Sequence, residues 1–166
     1  TYDYRDTDGR LLYQVCRYDW PDPSSPKGHG KTFLQRMPDD SKKNGWSYKV
    51  QGNITPVPYR LAELLQDIRD GFPIFIVEGE KKVDMLREQG VPATCNHGGA
   101  GKFPDDLLGW FKGADLVLMA DNDPQAVDKH GKPRFHPDGR PVFAGRDHAD
   151  LVGRKLGAEG GKHVLA

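Results

Sequence analysis

Three carboxylates stand where apolar runs of the sequence stop. FPIFIVEGEKKVDML, Phe72 to Leu86, carries an apolar run, Ile74 to Val77, that ends on Glu78 and turns at once on Gly79. LVLMADNDP, Leu116 to Pro124, is a second apolar run, and it ends in Asp121 and Asp123, separated by one residue. In parallel α/β sheets, ligands gather beyond the carboxyl ends of the strands. Three acids converging there would repel one another unless a cation neutralised them. Hard oxygen ligands suit Mg²⁺ or Mn²⁺, with phosphate oxygens and water in the other positions. Alternation places Asp121 and Asp123 on one side of an extended chain, so both can face one metal. Taken singly each acid has a plainer account, because a strand-end Asp is often a helix cap and DND is also a turn sequence. The joint pattern, strand-EG-helix and then strand-DxD, is more specific.

The elements that must position these acids alternate. TPVPYRLAELLQDIRDG sets Leu61, Leu64, Leu65 and Ile68 at i, i+3, i+4, i+7, an amphipathic helix closed by Gly71. Strand 74–77, helix 80–89, strand 93–95, helix 105–112, strand 115–120, a helix near 145–156 and a last strand at 162–166 follow. Such alternation predicts an α/β fold with a mainly parallel sheet flanked by helices. The first part differs. YDYRDTDGRLLYQVCRYDW has strand-like residues on both sides of Asp8-Gly9, a hairpin signal. After the turn PDPSSPKGHG, KTFLQRM reads as a third strand and WSYKV as a fourth. The expected division is therefore a small antiparallel β-rich basic subdomain over 1–54 and an α/β domain over 55–166. Residues 125–142 break the rhythm with two turn signals, DKHGKP and HPDGRP, and read as an exposed hairpin-like insertion. No internal repeats are expected.

Composition narrows the class. The 166 residues suffice for one domain with a core, or a domain with an appendage. Glycine (20) and proline (13) are frequent enough to demand many turns, which argues against a helical bundle. No apolar run approaches membrane-spanning length, and no stretch reads as a basic-then-apolar leader, so no membrane partner is expected. Cys16 and Cys95 form neither a zinc ribbon nor a disulfide framework, and read as reduced thiols of a cytoplasmic protein. Thr1 rather than Met suggests a piece of a longer protein. The net charge is zero but uneven: residues 1–60 carry 10 basic and 7 acidic side chains, 61–128 carry 6 and 13, and 129–166 carry 8 and 4. An acidic middle between basic ends fits a cation site flanked by polyanion contacts; acidic helix faces in solvent fit equally.

Several basic and aromatic groups have two readings. GHGKT, Gly28 to Thr32, ends like a phosphate-binding P-loop, but position 25 is serine where that motif needs glycine. Lys31, with Arg36 and Arg17, faces either nucleic acid or plain solvent. GGAGK, which includes Gly98, Gly99 and Lys102, could cradle a phosphate through backbone N–H groups or form a tight strand-to-helix turn. His130 and His136 read as solvated loop histidines rather than zinc ligands, and His97 as a core or surface histidine near the active face. Trp20, Trp46 and Trp110 could stack bases or fill apolar patches.

IVEGEKKVDML and LVLMADND together resemble the two signature blocks of the Toprim domain, shared by primases, topoisomerases and several nucleases. CNHGGAGKF resembles the loop between those blocks in phage and plasmid primases and primase-helicases, and AGRDHADLV resembles the helix that normally follows DxD directly. The resemblance covers roughly residues 55–166; GRLLYQVCRYD and GKTFLQR are more loosely similar to the segment preceding Toprim in those primases. It implies a Rossmann-like Toprim fold, with Glu78 assisting metal binding and proton transfer and Asp121 and Asp123 as the metal-binding pair. It places Lys81 and Lys82 where primase-type domains often have a basic residue, one of which could meet a phosphate, and Lys102 in a comparable place at the close of the glycine loop. The chain departs from the family in the 125–142 insertion, which bears on the position of Asp123, and in stopping just after the last strand.

The implied function is that of a DNA primase catalytic core, joining ribonucleoside triphosphates on a single-stranded DNA template, with a helicase domain or protein as a further partner. A Toprim-type nuclease with the same metal site is the second reading. A non-enzymatic nucleic-acid-binding module is the third.

Overall fold

The computed structural model describes residues 1–25, 28–50, 52–99, 101–158 and 162–165. Pro26 and Lys27 of the first long turn, Ala100 of the glycine loop and Ala166 of the last strand lie outside the described residues.

The chain opens with an antiparallel meander, β1 (Tyr2–Arg5), β2 (Leu11–Pro21), β3 (His29–Pro38) and β4 (Trp46–Ser47), in the spatial order β1-β2-β3-β4. Its first turn forms where Asp8-Gly9 predicts it: the Asp6 carboxylate accepts the N–H groups of Asp8 and Arg10 at 3.0 and 2.9 Å. The fourth strand is shorter than WSYKV suggests, because Val50 leaves the sheet to be buried in the core.

The second part alternates as expected: α1 (Leu61–Arg69), β5 (Ile74–Ile76), α2 (Glu80–Glu88), β6 (Ala93–Thr94), β7 (Asp115–Leu118), α3 (Ala144–Ala158) and β8 (Lys162–Leu165). The segment expected as helix 105–112 is a 3₁₀ helix over Asp105–Phe111. Pro104 and Gly109 bracket too few residues there to sustain α-helical turns. The strands pair in parallel, β6-β5-β7, with β8 added along the free edge of β7. The chain leaves β5 toward β6 on one side and leaves β7 toward β8 on the other. The crevice between the ends of β5 and β7 is thus a topological switch point, where open α/β sheets bind ligands.

One buried core joins the two sheets across residue 54. Tyr4 and Tyr13 of the meander, both fully buried, cluster with Val57, Leu61, Leu64, Ile74 and Val83. The two tyrosine rings stack at 4.5 Å, inclined by 12°. Burying two such rings removes a few hundred Å² of apolar surface from water, so the first sheet is held mainly by the hydrophobic effect.

Candidate metal centre at the switch point

Glu78 follows β5, and Asp121 and Asp123 follow β7, so parallel pairing of those strands sets the acids side by side. Ile76 pairs with Leu118 at the last rung, and Met119 N–H continues the ladder to the Ile76 carbonyl at 3.0 Å. One carboxylate oxygen from each of Glu78, Asp121 and Asp123 lies within 4.8 Å of the others. All three residues are half-buried. Two oxygens on one Mg²⁺-sized ion are separated by about 3 to 4 Å. The observed spread therefore needs only side-chain adjustment or a bridging water to close on a single cation. A cavity of about 10 Å³ beside Glu78, Asp121 and His148 offers the room of roughly one water. An all-oxygen donor set of this kind fits a hard divalent ion such as Mg²⁺ or Mn²⁺ rather than a thiophilic one.

Gly79 explains why the strand turns on glycine. Its φ of 88° and ψ of 146° lie where side-chain-bearing residues are strained, and its carbonyl accepts the first bonds of α2 from Lys82 and Val83. Directly after it, Glu80 is buried, and Tyr4 donates its hydroxyl to the Glu80 carboxylate at 2.8 Å. Burial raises the Glu80 carboxyl above the usual range, opposed by the bonds its carboxylate accepts from its own backbone N–H and from Tyr4. The first sheet therefore grips α2 two residues from Glu78.

The far wall of the crevice is α3. A Cβ placed on Gly145 would fall 2.6 Å from the Asp121 carbonyl oxygen and 2.7 Å from the Asp121 Cβ. Only glycine lets the helix come this close to the DxD backbone. Gly145 N–H donates to the Asp123 carboxylate at 3.2 Å. His148, one turn on, is buried, and its Nδ1 accepts the Gly101 N–H at 3.1 Å. Burial holds the His148 ring below its ordinary pKa, with the charge of Asp121 acting in the opposite direction. Sequence reasoning missed Gly145, His148 and Glu80. The only available signals were a glycine near the start of a helix and a histidine at helical spacing from it.

The remaining residues of interest are spread over the molecule. The Lys82 ammonium forms an ion pair with the Asp121 carboxylate, so among the three acids Asp121 has a cationic neighbour on its own protein. Lys81 is exposed on α2. In the glycine loop, Gly98 and Gly99 have φ of 96° and 69°, and the Lys102 side chain packs over Gly98, 3.6 Å from where a Cβ would sit. Asn96 ties this loop shut, its amide donating to the carbonyls of His97 and Lys102 at 2.9 and 2.6 Å. The Gly101 N–H is directed to His148 rather than to an open cradle. His97 is a structural histidine: its Nδ1 is 2.9 Å from the Tyr13 hydroxyl, and burial lowers its pKa.

Strand register separates the basic residues of the first sheet. Arg17 pairs with Phe33 and Asp19 with Lys31, so Arg17 and Lys31 share one face. Both cations lie about 6 Å from the Phe33 ring, at 5.9 and 6.0 Å. Arg36 lies on the opposite face, its guanidinium 3.9 Å from the Trp46 ring and donating to Gln14 at 2.7 Å. Trp20 covers Gly30 on that second face. Cys16 and Cys95 are both buried free thiols. Among the described residues no helix is long and apolar enough to cross a membrane.

Comparison with protein-family models, with curated proteins and with solved structures returns no match to this chain.

Proposed function

We propose that this chain carries the Toprim-type catalytic centre of a DNA primase, which builds RNA primers on single-stranded DNA by nucleotidyl transfer. The observation that carries the reading is the meeting of Glu78, Asp121 and Asp123 in the switch-point crevice. They lie 43 and 45 residues apart along the chain, yet they offer one oxygen each to a common point. In primer synthesis the 3′-hydroxyl of one nucleotide attacks the α-phosphate of the next, and pyrophosphate leaves. A divalent ion bound to these carboxylates would stabilise the charge that builds on those phosphate oxygens. The protein's own contribution is placement and fixed charge. Glu78 follows the strand that neighbours that of the DxD pair, and on this reading it takes a proton at the crevice. Lys82 brings an ammonium to the same edge, where a phosphate can replace Asp121 as its partner once a cation holds that carboxylate. On this reading Lys81 and Lys102, with Gly98 and Gly99, are further phosphate contacts, and Lys31 and Arg36 supply positive charge on the two faces of the first sheet, where Arg17 is paired with Asp19 at 2.7 Å.

Templated primer synthesis by the full-length protein tests the reading. Asp121→Asn combined with Asp123→Asn should abolish ribonucleotide incorporation and leave thermal stability near wild type. Unimpaired synthesis would refute it. Metal-dependent cleavage of DNA without added nucleotides, lost in the same variant, would instead assign the centre to hydrolysis. Failure of the wild-type chain to bind Mn²⁺ at millimolar concentration would leave only a binding module.

A further inference from the structure

The insertion between DxD and α3 is hairpin-like, with isolated antiparallel bridges at Val127–Pro133 and Phe135–Pro141. Three backbone hydrogen bonds close a ring through residues eight apart. Arg134 N–H donates to the Ala126 carbonyl at 2.8 Å, Ala126 N–H to Val142 at 2.8 Å, and Val142 N–H to Arg134 at 3.1 Å. Two similar turns hang from this ring. Asp128 N–H reaches Lys132 and His136 N–H reaches Arg140, each at 2.8 Å. Each turn ends in glycine, a cation and proline: Gly131-Lys132-Pro133 and Gly139-Arg140-Pro141. An eight-residue repeat is thus present where the sequence reading expected none. His136 anchors the ring to α3 through Asp147 at 3.0 Å, and the same carboxylate accepts Phe143 N–H at 3.2 Å. The strap is therefore fixed relative to Asp123, three residues before its ring begins.

Its charges are unevenly used. Within 125–142 there are four Lys or Arg side chains and two Asp. Asp138 is committed to Arg140 at 2.8 Å, and Asp128 accepts the backbone N–H groups of His130 and Lys132 at 2.8 and 3.0 Å. Lys129, Lys132 and Arg134 are exposed and form no ion pair among the described residues. In the same insertion, directly after Arg134, Phe135 is 59% exposed. Cations without an ion-pair partner, in a short strap that also exposes a ring, favour an occupant with both negative charge and flat apolar faces. A single strand of nucleic acid has both. A lipid surface offers no ring to stack, and an acidic peptide offers no regular run of phosphates.

We propose that this strap is a docking surface for a single strand of nucleic acid next to the metal centre, with Lys129, Lys132 and Arg134 meeting phosphates and Phe135 stacking on a base. The proposal rests on the reading that the centre acts on polynucleotide phosphates.

Fluorescence anisotropy with a labelled oligothymidylate of about 16 nucleotides tests it on the whole chain, across roughly 50 to 200 mM salt. Replacing Lys129, Lys132 and Arg134 together by Ser should lower the slope of log affinity against log salt by about 2, at about 0.7 per lost phosphate contact. Phe135→Ala should weaken binding about fivefold or more. Thermal stability and Mn²⁺ binding should stay at wild-type values, because none of these side chains supports the core or the carboxylates. A triple variant with the wild-type slope overturns the strap proposal and leaves the reading of the centre standing. Absence of any binding by the wild-type chain at low salt overturns both. A loss confined to binding of anionic phospholipid vesicles would make the strap a membrane contact and also overturn the proposal.

Discussion

Gly145→Ala reverses the sign normally attached to its class of substitution. Inside a helix, alanine is favoured over glycine by about 1 kcal/mol, because glycine loses more backbone freedom on folding. Gly145 is the second residue of α3, where that gain should apply. A Cβ there would sit 2.6 Å from the Asp121 carbonyl oxygen, 2.7 Å from its Cβ and 2.8 Å from its nitrogen. Favourable contacts of this kind lie near 3.5 Å, so the shortfall is about 0.7 to 0.9 Å. Two of the three opposing atoms are main chain, so no rotamer change relieves the clash. Either α3 moves or the DxD segment does. Overpacking of this order costs about 1 to 3 kcal/mol, which offsets the propensity gain and leaves a net loss of up to about 2 kcal/mol. For a chain of this size that lowers the melting temperature by a few degrees, about 2 to 4 °C per kcal/mol. Metal binding at the acidic trio, the candidate metal centre, should be more sensitive still. Ligand positions matter to about 0.2 Å, and the Gly145–Asp123 hydrogen bond, 3.2 Å long, runs through the displaced region. Mn²⁺ affinity should fall tenfold or more, equivalent to about 1.4 kcal/mol. Paired melts with and without Mn²⁺, and an electron paramagnetic resonance titration, read both effects. Gly109→Ala is the control, since nothing lies within 4 Å of its Cβ position, and it should be neutral or stabilising. If Gly145→Ala matches or exceeds wild type in both stability and Mn²⁺ affinity, α3 is not seated on the DxD backbone and the account of the crevice is wrong.

Other perturbations probe the supports of the same crevice. Lys82→Gln removes the cation paired with Asp121; a half-exposed pair of this kind is worth about 0.2 to 1 kcal/mol, so Mn²⁺ should bind up to about fivefold more tightly, and weaker binding would mean that Lys82 orients the carboxylate instead. Tyr4→Phe leaves the buried Glu80 carboxyl without that donor, at a cost of about 1 to 3 kcal/mol in urea unfolding; an unchanged midpoint would show that the bond holds nothing. His97 and His148 both sit below their ordinary pKa because they are buried. The unfolded chain therefore takes up protons first as pH falls through about 6.5, and stability that is complete above that value is lost below it. His97→Gln should flatten part of this slope, whereas a wild-type urea midpoint constant from about pH 7 to 5 would contradict the burial of both rings.

The parts of this architecture that follow short-range rules were legible in the sequence. Apolar periodicity located α1, and apolar runs ending in acids located β5 and β7, because burial and the two-residue alternation of strands are written locally. The acidic trio was legible for the same reason: each acid is the first polar residue, or nearly so, beyond a buried run. What was not legible depends on contacts between distant residues. Glu80 reads as one more charge at the start of an acidic and basic helix, and only the fold brings Tyr4 from 76 positions away to receive it. Gly145 reads as a weak helix residue, and only the approach of Asp121 gives it a purpose. Three cations grouped by eye on the first sheet divide between two faces once register is fixed, because a cross-strand pair such as Arg17 and Phe33 must share a side. The two turns of the insertion are legible, but the closure of its ring through the main-chain groups of residues 126, 134 and 142 follows only from the fold.

The same long-range contacts explain why a β meander and a parallel sheet are combined here. Each boundary of the crevice is braced from outside the strand that bears the acid. Glu78 stands two residues before Glu80, which is gripped by Tyr4 of β1. The glycine loop beyond β6 is held by Tyr13 of β2 through His97, and by His148 of α3 through Gly101. Asp121 and Asp123 are backed by Gly145 of that same helix. Three like charges gain nothing from one another in the absence of a cation, so their positions must be imposed from around them, by packing, by hydrogen bonds and, for Asp121, by the Lys82 ion pair. A site fixed in this way needs little rearrangement when a cation arrives, and preorganisation of this kind turns a repulsive cluster into a binding site. On this view the first sheet acts on the candidate metal centre through Tyr4 and Tyr13, whatever its outer faces contact.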